Sequence, residues 1–211
     1  MLQAFDPEAE IEVRRRNLPH WRQAGATYIV TFRLGDSLPQ AKLEELRAER
    51  LQWLKRYPPP RSEETLVAYQ CFRSNKIEEY LAAGYGACWL KQAILADQVA
   101  NALLFFDGQR YALGDFVVMP NHVHALVRPL EGFELSDILH SWKSFTANQI
   151  NRIVGRKGKL WQDESFDHIV RDEHYLLAYQ HYIADNPRMA NLREGEYRMR
   201  ACGPDFWRGR K

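Results

Sequence analysis

The chain lacks most of the features that place a protein quickly. It has three cysteines, Cys71, Cys88 and Cys202, with no close pair, so neither a disulfide framework nor a cysteine metal site is implied. No apolar run approaches the roughly 18 residues needed to span a bilayer. The first residues, with Asp6, Glu8, Glu10 and Glu12, lack the basic-then-apolar order of a secretory leader, and a cytoplasmic location is expected. There is no internal repeat and no low-complexity tract. Charge of one sign is also lacking: 29 basic residues against 27 acidic ones leave +2, too little to argue for nucleic acid. What is present is an apolar content of 45% over 211 residues, enough for one globular domain with a real core.

The basic residues are unevenly placed. Arg14, Arg15 and Arg16 adjoin one another, and Arg198, Arg200, Arg208, Arg210 and Lys211 crowd the end. Such clusters are usually solvated surface, and phosphate binding is the sharper alternative.

The residue pattern predicts a strand at Thr27–Leu34, β-branched and aromatic. A helix opened by Asp36-Ser37 runs to about Lys55, with Leu43, Leu46, Trp53 and Leu54 at helical spacing, and is stopped by Tyr57-Pro58-Pro59-Pro60. A second helix begins at Ser62, with Glu63 and Glu64 where the helix dipole favours them. A third runs from about Trp89 to Phe106. Strands follow at about 110–118 and 122–128, and their short connection requires antiparallel neighbours. Leu135 to Val154 reads as a helix with Ile138, Leu139, Trp142, Phe145, Ile150 and Ile153 on its apolar face. Residues 160–170 read as a fourth strand and 173–186 as a final helix. The order is that of an α+β, ferredoxin-like split βαβ plan: an antiparallel four-stranded sheet with helices on one face, inserted helices and a C-terminal catalytic helix. The whole of 1–211 is read as a single domain. It has a core at about 26–192, a helical insertion at about 57–88 and a basic tail at about 193–211. Many functions use this fold, so chemistry must come from particular residues.

Met119-Pro120-Asn121-His122-Val123-His124 is the densest motif. Strand side chains alternate, so His122 and His124 point to one side, where two imidazoles can share a divalent cation. Two histidines on a polar sheet face, or packed with satisfied nitrogens, are the plainer alternative. In the last helix, Tyr175, Tyr179, Tyr182 and Asn186 fall on one face. The plainer reading there is an aromatic stripe packed on the sheet, with Asn186 capping a turn before Pro187. Asn186 could instead offer its carbonyl oxygen as a third metal ligand beside Tyr182, although a residue before proline is biased away from helical geometry.

These parts form a chemical unit. Two imidazoles and an amide oxygen leave positions open on Mg²⁺ or Mn²⁺, which would polarise a scissile phosphate. A tyrosine hydroxyl, with an ordinary pKa of about 10, would attack phosphorus in line. The phosphotyrosine link conserves the energy of the broken ester, so strand joining would need no ATP. The first step needs no activated water, which suits the lack of an obvious carboxylate base.

At these residues the chain resembles the HUH single-tyrosine transposases, an IS200-like group, and most closely the REP-associated tyrosine transposases (RAYTs). The resemblance covers nearly the whole chain. It runs through Arg16-Asn17-Leu18-Pro19-His20-Trp21, Tyr28-Ile29-Val30-Thr31-Phe32-Arg33-Leu34, Val117 to His124, Trp142-Lys143-Ser144-Phe145-Thr146, Leu160-Trp161-Gln162, and Tyr182-Ile183 through Asn186-Pro187. It implies that His122 and His124 bind the metal, that Asn186 is a further ligand and that Tyr182 is the nucleophile. It further implies cleavage of single-stranded DNA beside an imperfect hairpin of REP type, leaving a 5′-phosphotyrosine and a free 3′-OH. A bacterial, nucleoid-associated protein is expected, as a monomer rather than a homodimer, with DNA as its partner and no membrane. Two departures stand out. Asn191 occupies a place where glycine is expected, and asparagine also tolerates left-handed backbone. The stretch from about Arg61 to Gly84 is longer than a minimal single-tyrosine transposase needs, and the sequence assigns it no role.

DNA contacts would come from Arg14, Arg15, Arg16, Trp21, Trp142, Lys143, Trp161, Gln162 and Arg171, basic side chains on phosphates and aromatic ones under unpaired bases. Packing is the alternative for Trp142 and Trp161, and a solvated helix face for Lys143. Two other functions compete: a REP-hairpin-binding protein that no longer cleaves, and a metal-dependent phosphodiesterase that uses water. A covalent protein–DNA adduct separates the leading reading from both.

Overall fold

The computed structural model describes residues 6, 12–15, 19–203 and 206–209. A short hairpin of β1 (Glu12–Arg15) and β2 (Pro19–Arg22) precedes β3 (Tyr28–Arg33). Helices α1 (Gln40–Arg56) and α2 (Glu63–Ala82) follow, then a 3₁₀ turn at Trp89–Lys91 and helix α3 (Ala93–Phe105). Next come β4 (Tyr111–Val118), β5 (His122–Pro129), α4 (Leu135–Ile153), β6 (Phe166–Ile169), α5 (Glu173–Met189), β7 (Arg198–Arg200) and α6 (Phe206–Gly209). No helix among the described residues is long and apolar enough to cross a membrane.

The main sheet is antiparallel, in the order β6-β3-β5-β4-β7. Every residue of β4 and β5 is buried, as strands covered on both faces must be. One face, with Tyr28, Val30, Phe32, Ala125 and Val127, packs against Leu95, Val99 and Leu103 of α3 and Ile138, Trp142 and Ile150 of α4. The other, with Ile29, Ala112, Val117 and Leu126, packs against Leu176 and Ile183 of α5 and Trp207 of α6. The α+β class and the split βαβ order are as expected.

A bulge in β4 between Leu113 and Phe116 fixes how α5 lies on this second face. It leaves Asp115 buried, accepting from Gln180 Nε2 of α5 at 2.8 Å and from the backbone N–H of Cys202 at 3.2 Å. Gly114 beside it admits Trp207 so closely that a Cβ would lie 2.3 Å from the indole.

Several expectations need correction. The sheet has five strands, not four, because β7 pairs with β4 inside what read as a basic tail. Arg198 and Arg200 are spent on Asp97 and Asp107. Helices cover both faces, since the burial alternation gives β3, β4 and β5 two apolar sides. The strand expected over 160–170 is regular only at Phe166–Ile169, preceded by an isolated bridge between Leu34 and Trp161. The first helix starts at Gln40 rather than at Asp36-Ser37, because Ser37 is buried and its Oγ donates to the Leu34 carbonyl. On α4, Phe145 and Ile153 are exposed rather than part of the apolar face.

Candidate functional site

β5 is the middle strand, and His122 and His124 project from it toward α5, both fully buried. Their rings lie 4.7 Å apart, centre to centre. The Pro-Asn turn before them is held on three sides. The Met119 N–H donates to the His122 carbonyl at 2.8 Å, Leu34 N–H to the Asn121 carbonyl at 2.8 Å and Leu90 N–H to the Pro120 carbonyl at 3.0 Å.

Asn121 sets the state of His122. Its Nδ2 donates to the carbonyls of Leu81 at 3.2 Å and Tyr85 at 3.1 Å, so its Oδ1 faces His122 Nδ1 at 2.7 Å as an acceptor. Nδ1 therefore carries the proton, and the lone pair of His122 lies on Nε2. That Nε2 is buried and has no hydrogen bond of proper geometry. Burial above all, with His124 beside it, pushes the imidazole down to about 3, so the ring is neutral and fit to ligate. His124 Nδ1 pairs with Thr31 Oγ1 at 2.7 Å, across the β3–β5 register that opposes Thr31 to His124.

α5 brings Tyr182 to the pair. Its hydroxyl is 3.2 Å from His124 Nε2, and the two rings are 5.0 Å apart. Asp172 caps the helix by accepting from Tyr175 N–H at 2.9 Å. Helical geometry persists through Pro187, so Asn186 keeps its place one turn beyond Tyr182. Asn186 is buried and touches both His122 and Tyr182. Asn191, at φ 51°, adopts the left-handed backbone anticipated for it.

A fourth donor was not anticipated. Glu78 of α2 reaches His124 Nε2 at 3.5 Å, and ligating atoms of Glu78, His122 and His124 all lie within 4.8 Å of one another. Burial works against its charge. The two histidines, and hydrogen bonds from His124 and Tyr182, nonetheless hold its carboxyl down to about 2. For Tyr182, burial first and the Glu78 carboxylate second push ionisation far above the ordinary phenol range. A desolvated, unpartnered imidazole nitrogen beside a carboxylate and a second imidazole is a donor set that fits a divalent cation. Nothing in the local sequence distinguishes Glu78 from Glu79. The only signal was the unexplained length of the segment that carries it.

The remaining sequence candidates fall in different places. Trp142 and Trp161 are buried in the α3–α4 side of the core. Their indole N–H groups donate to Tyr111 Oη and Thr146 Oγ1, both at 2.9 Å, so neither ring is offered to a base. Lys143 Nζ donates to the Asp163 carbonyl at 2.8 Å and Ser165 Oγ at 3.2 Å, pinning the loop before β6. Gln162 is half-buried, and Arg171 is exposed over the ring of Tyr175. Tyr175 is 41% exposed, with its ring 6.5 Å from that of Tyr179. Arg16 lies outside the described residues, as do the side chains of Arg14, Arg15 and Trp21.

Residues 104–186 match the family model described as "Transposase IS200 like". That stretch holds His122, His124, Tyr182 and Asn186, whereas Glu78 precedes it. No curated protein matches the chain. Among solved structures, one of a REP-associated tyrosine transposase bound to a REP hairpin aligns at 17% identity and a TM-score of 0.43. The alignment covers 82% of this chain and 73% of that one. A crystal structure of a candidate transposase from Deinococcus radiodurans R1 aligns at 16% identity and a TM-score of 0.36, over 82% of this chain and 96% of that one.

Proposed function

From the similarity of residues 104–186 to the IS200-like transposases, we propose that this protein is a metal-dependent single-stranded DNA endonuclease and strand transferase. One observation carries the reading. The Tyr182 hydroxyl lies 3.2 Å from His124 Nε2, inside a group of donors fit for a divalent cation. His122, His124, Glu78 and Asn186 would hold Mg²⁺ or Mn²⁺. When bound, the cation supplies positive charge that favours the tyrosinate and stabilises charge developing on the phosphate.

The chain's own residues do the rest. Asn121 and Thr31 fix the two imidazoles, and α5 holds Tyr182 beside them. Tyr182 Oη attacks phosphorus, the bond from phosphorus to the 3′ oxygen breaks, and a 5′-phosphotyrosine forms. Tyrosine loses one proton and the departing 3′ oxygen gains one, so the step balances. Attack by a 3′-OH on the phosphotyrosine reverses the chemistry and joins strands. On the RAYT-like motifs the protein is proposed to act as a monomer, with residues 1–211 as a single unit. The substrate proposed, on the RAYT-like motifs, is a REP-type hairpin flanked by single strand.

The test is incubation with Mg²⁺ or Mn²⁺ and labelled single-stranded REP hairpins, with products resolved on a denaturing protein gel. A labelled protein band that disappears in Tyr182→Phe is the expected result. Tight binding without a band would make the protein a hairpin-binding factor, and hydrolysis without a band would make Tyr182 structural.

A further inference from the structure

Arg33 ends β3 on the face that carries the histidines. It stands opposite His122 in the β3–β5 register, two residues along from the Thr31 that bonds His124. On its other side, Leu34 bridges Trp161 and the Gln162 N–H donates to the Arg33 carbonyl at 2.9 Å, which sets Gln162 in register with Arg33. Directly opposed residues project from the same face, with Cβ atoms about 4.5–5.5 Å apart. His122, Arg33 and Gln162 therefore form one row across the sheet, starting at the metal-donor group and leading toward the β6 edge.

The guanidinium in the middle of this row is half-buried and has no counter-ion among the described residues. Among the described residues its one hydrogen-bond partner is the neutral Ser37 Oγ at 3.1 Å, and that hydroxyl already donates to the Leu34 carbonyl. No carboxylate among the described residues lies within 4.0 Å of it. Asp36, its near neighbour in sequence, accepts from the Ala87 N–H, and Glu78 is turned to His124. Burial lowers the pKa of Arg33 with no anion acting against it. Arginine stays charged nonetheless, and a desolvated cation without an anion is costly in a folded protein. A phosphodiester meets that need, because its two free oxygens suit the guanidinium fork.

We propose that Arg33 binds a phosphodiester of the strand entering the site, with Gln162 beside it, and so determines which phosphate is presented to Tyr182. The proposal rests on the DNA-cleavage reading for the identity of the strand, but its test reads binding rather than cleavage. A labelled single-stranded REP hairpin is titrated with the non-cleaving Tyr182→Phe protein in Mn²⁺ over a range of salt. Titrations of Tyr182→Phe carrying Arg33→Gln or Arg33→Lys are run beside it, with Mn²⁺ binding measured for each. Arg33→Gln is expected to weaken DNA binding about tenfold. It should reduce the slope of log affinity against log salt by about 0.7, the share of one phosphate contact on a single strand. Arg33→Lys keeps the charge and should restore the slope while recovering only part of the affinity. Mn²⁺ affinity should be the same in all three. An unchanged salt slope in Arg33→Gln, or a DNA defect that follows a loss of Mn²⁺ binding, overturns the proposal, as does failure of the Tyr182→Phe protein to bind the strand. If wild-type protein forms no adduct while the slope changes as expected, the cleavage reading fails and the Arg33 contact stands.

Discussion

The β4–β5 pair and the α1–α2 hairpin both deliver residues to the same site, by opposite physical means. Every residue of β4 and β5 is buried, and the two strands lie between two apolar layers. Helix α1 buries none of its residues. The hairpin is held by surface chemistry instead: Trp53 stacks on Tyr69 at 4.3 Å, Lys76 pairs with Glu49, and Tyr80 Oη donates to Glu45 at 2.8 Å. Its anchor to the sheet is a small cluster of Leu38, Tyr80 and Leu81, together with the bonds from Asn121 to the carbonyls of Leu81 in α2 and Tyr85 just beyond it. Exposed ion pairs and stacks contribute little each, whereas burial of whole strands contributes much. The histidines therefore sit on the rigid part of the molecule, and Glu78 on the part most easily displaced.

The comparison can be broken from its strong end downward. Tyr182→Phe should abolish the protein–DNA adduct yet cost only about 0.5–1.5 kcal/mol of unfolding stability, the share of one hydroxyl hydrogen bond, as seen by denaturant titration. Leu126→Ala, in the centre of the buried strand, should cost about 2–5 kcal/mol in the same titration. Leu51→Ala on α1, already 60% exposed, should change stability by no more than about 0.5 kcal/mol. An effect between those two is expected from the cation. Mn²⁺ at about 100 times its dissociation constant should stabilise the wild-type chain by about 2.7 kcal/mol, and His122→Ala or His124→Ala should lose that stabilisation in a thermal melt.

Asn121→Ala probes the joint between the two regions. It strips the acceptor from His122 Nδ1 and leaves the Leu81 and Tyr85 carbonyls without this donor, which should cost about 1–3 kcal/mol. Calorimetry should also show Mn²⁺ affinity falling about 10–100-fold, the usual penalty for losing an orienting partner. The smallest effect on metal affinity belongs to Glu78→Gln. Mn²⁺ affinity should fall about tenfold, equivalent to about 1.4 kcal/mol. An unaltered affinity would remove α2 from the site.

Legibility in the sequence followed the same division. His-Val-His in an apolar run could be read directly, because strand alternation alone puts both imidazoles on one side. Tyr182 and Asn186 could be read from helical spacing, and the bias against helix before Pro187 did not break it. Trp142 and Trp161 were ambiguous because an indole serves equally well in a core and under a base, and burial decided for the core. The fifth strand was missed because Arg198-Met199-Arg200 is short and basic, and its pairing depends on Asp97 and Asp107 far away in the chain. Glu78 was missed for a related reason: its neighbours along α2 say nothing about what lies across from it.

The sequence by itself determined the order of elements from β3 to α5, the alternation that aims two histidines at one side of a strand, and the helical turn that links Tyr182 to Asn186. These are local, fixed by backbone periods of two and 3.6 residues. Only the tertiary structure decided that α5 lies on the histidine face, that Asn121 fixes the proton on His122, and that α2 contributes a carboxylate. It alone set Arg33 in a row with His122. Each of those is a meeting of groups distant in sequence, and the distance is closed by burial and hydrogen bonds that no local pattern encodes.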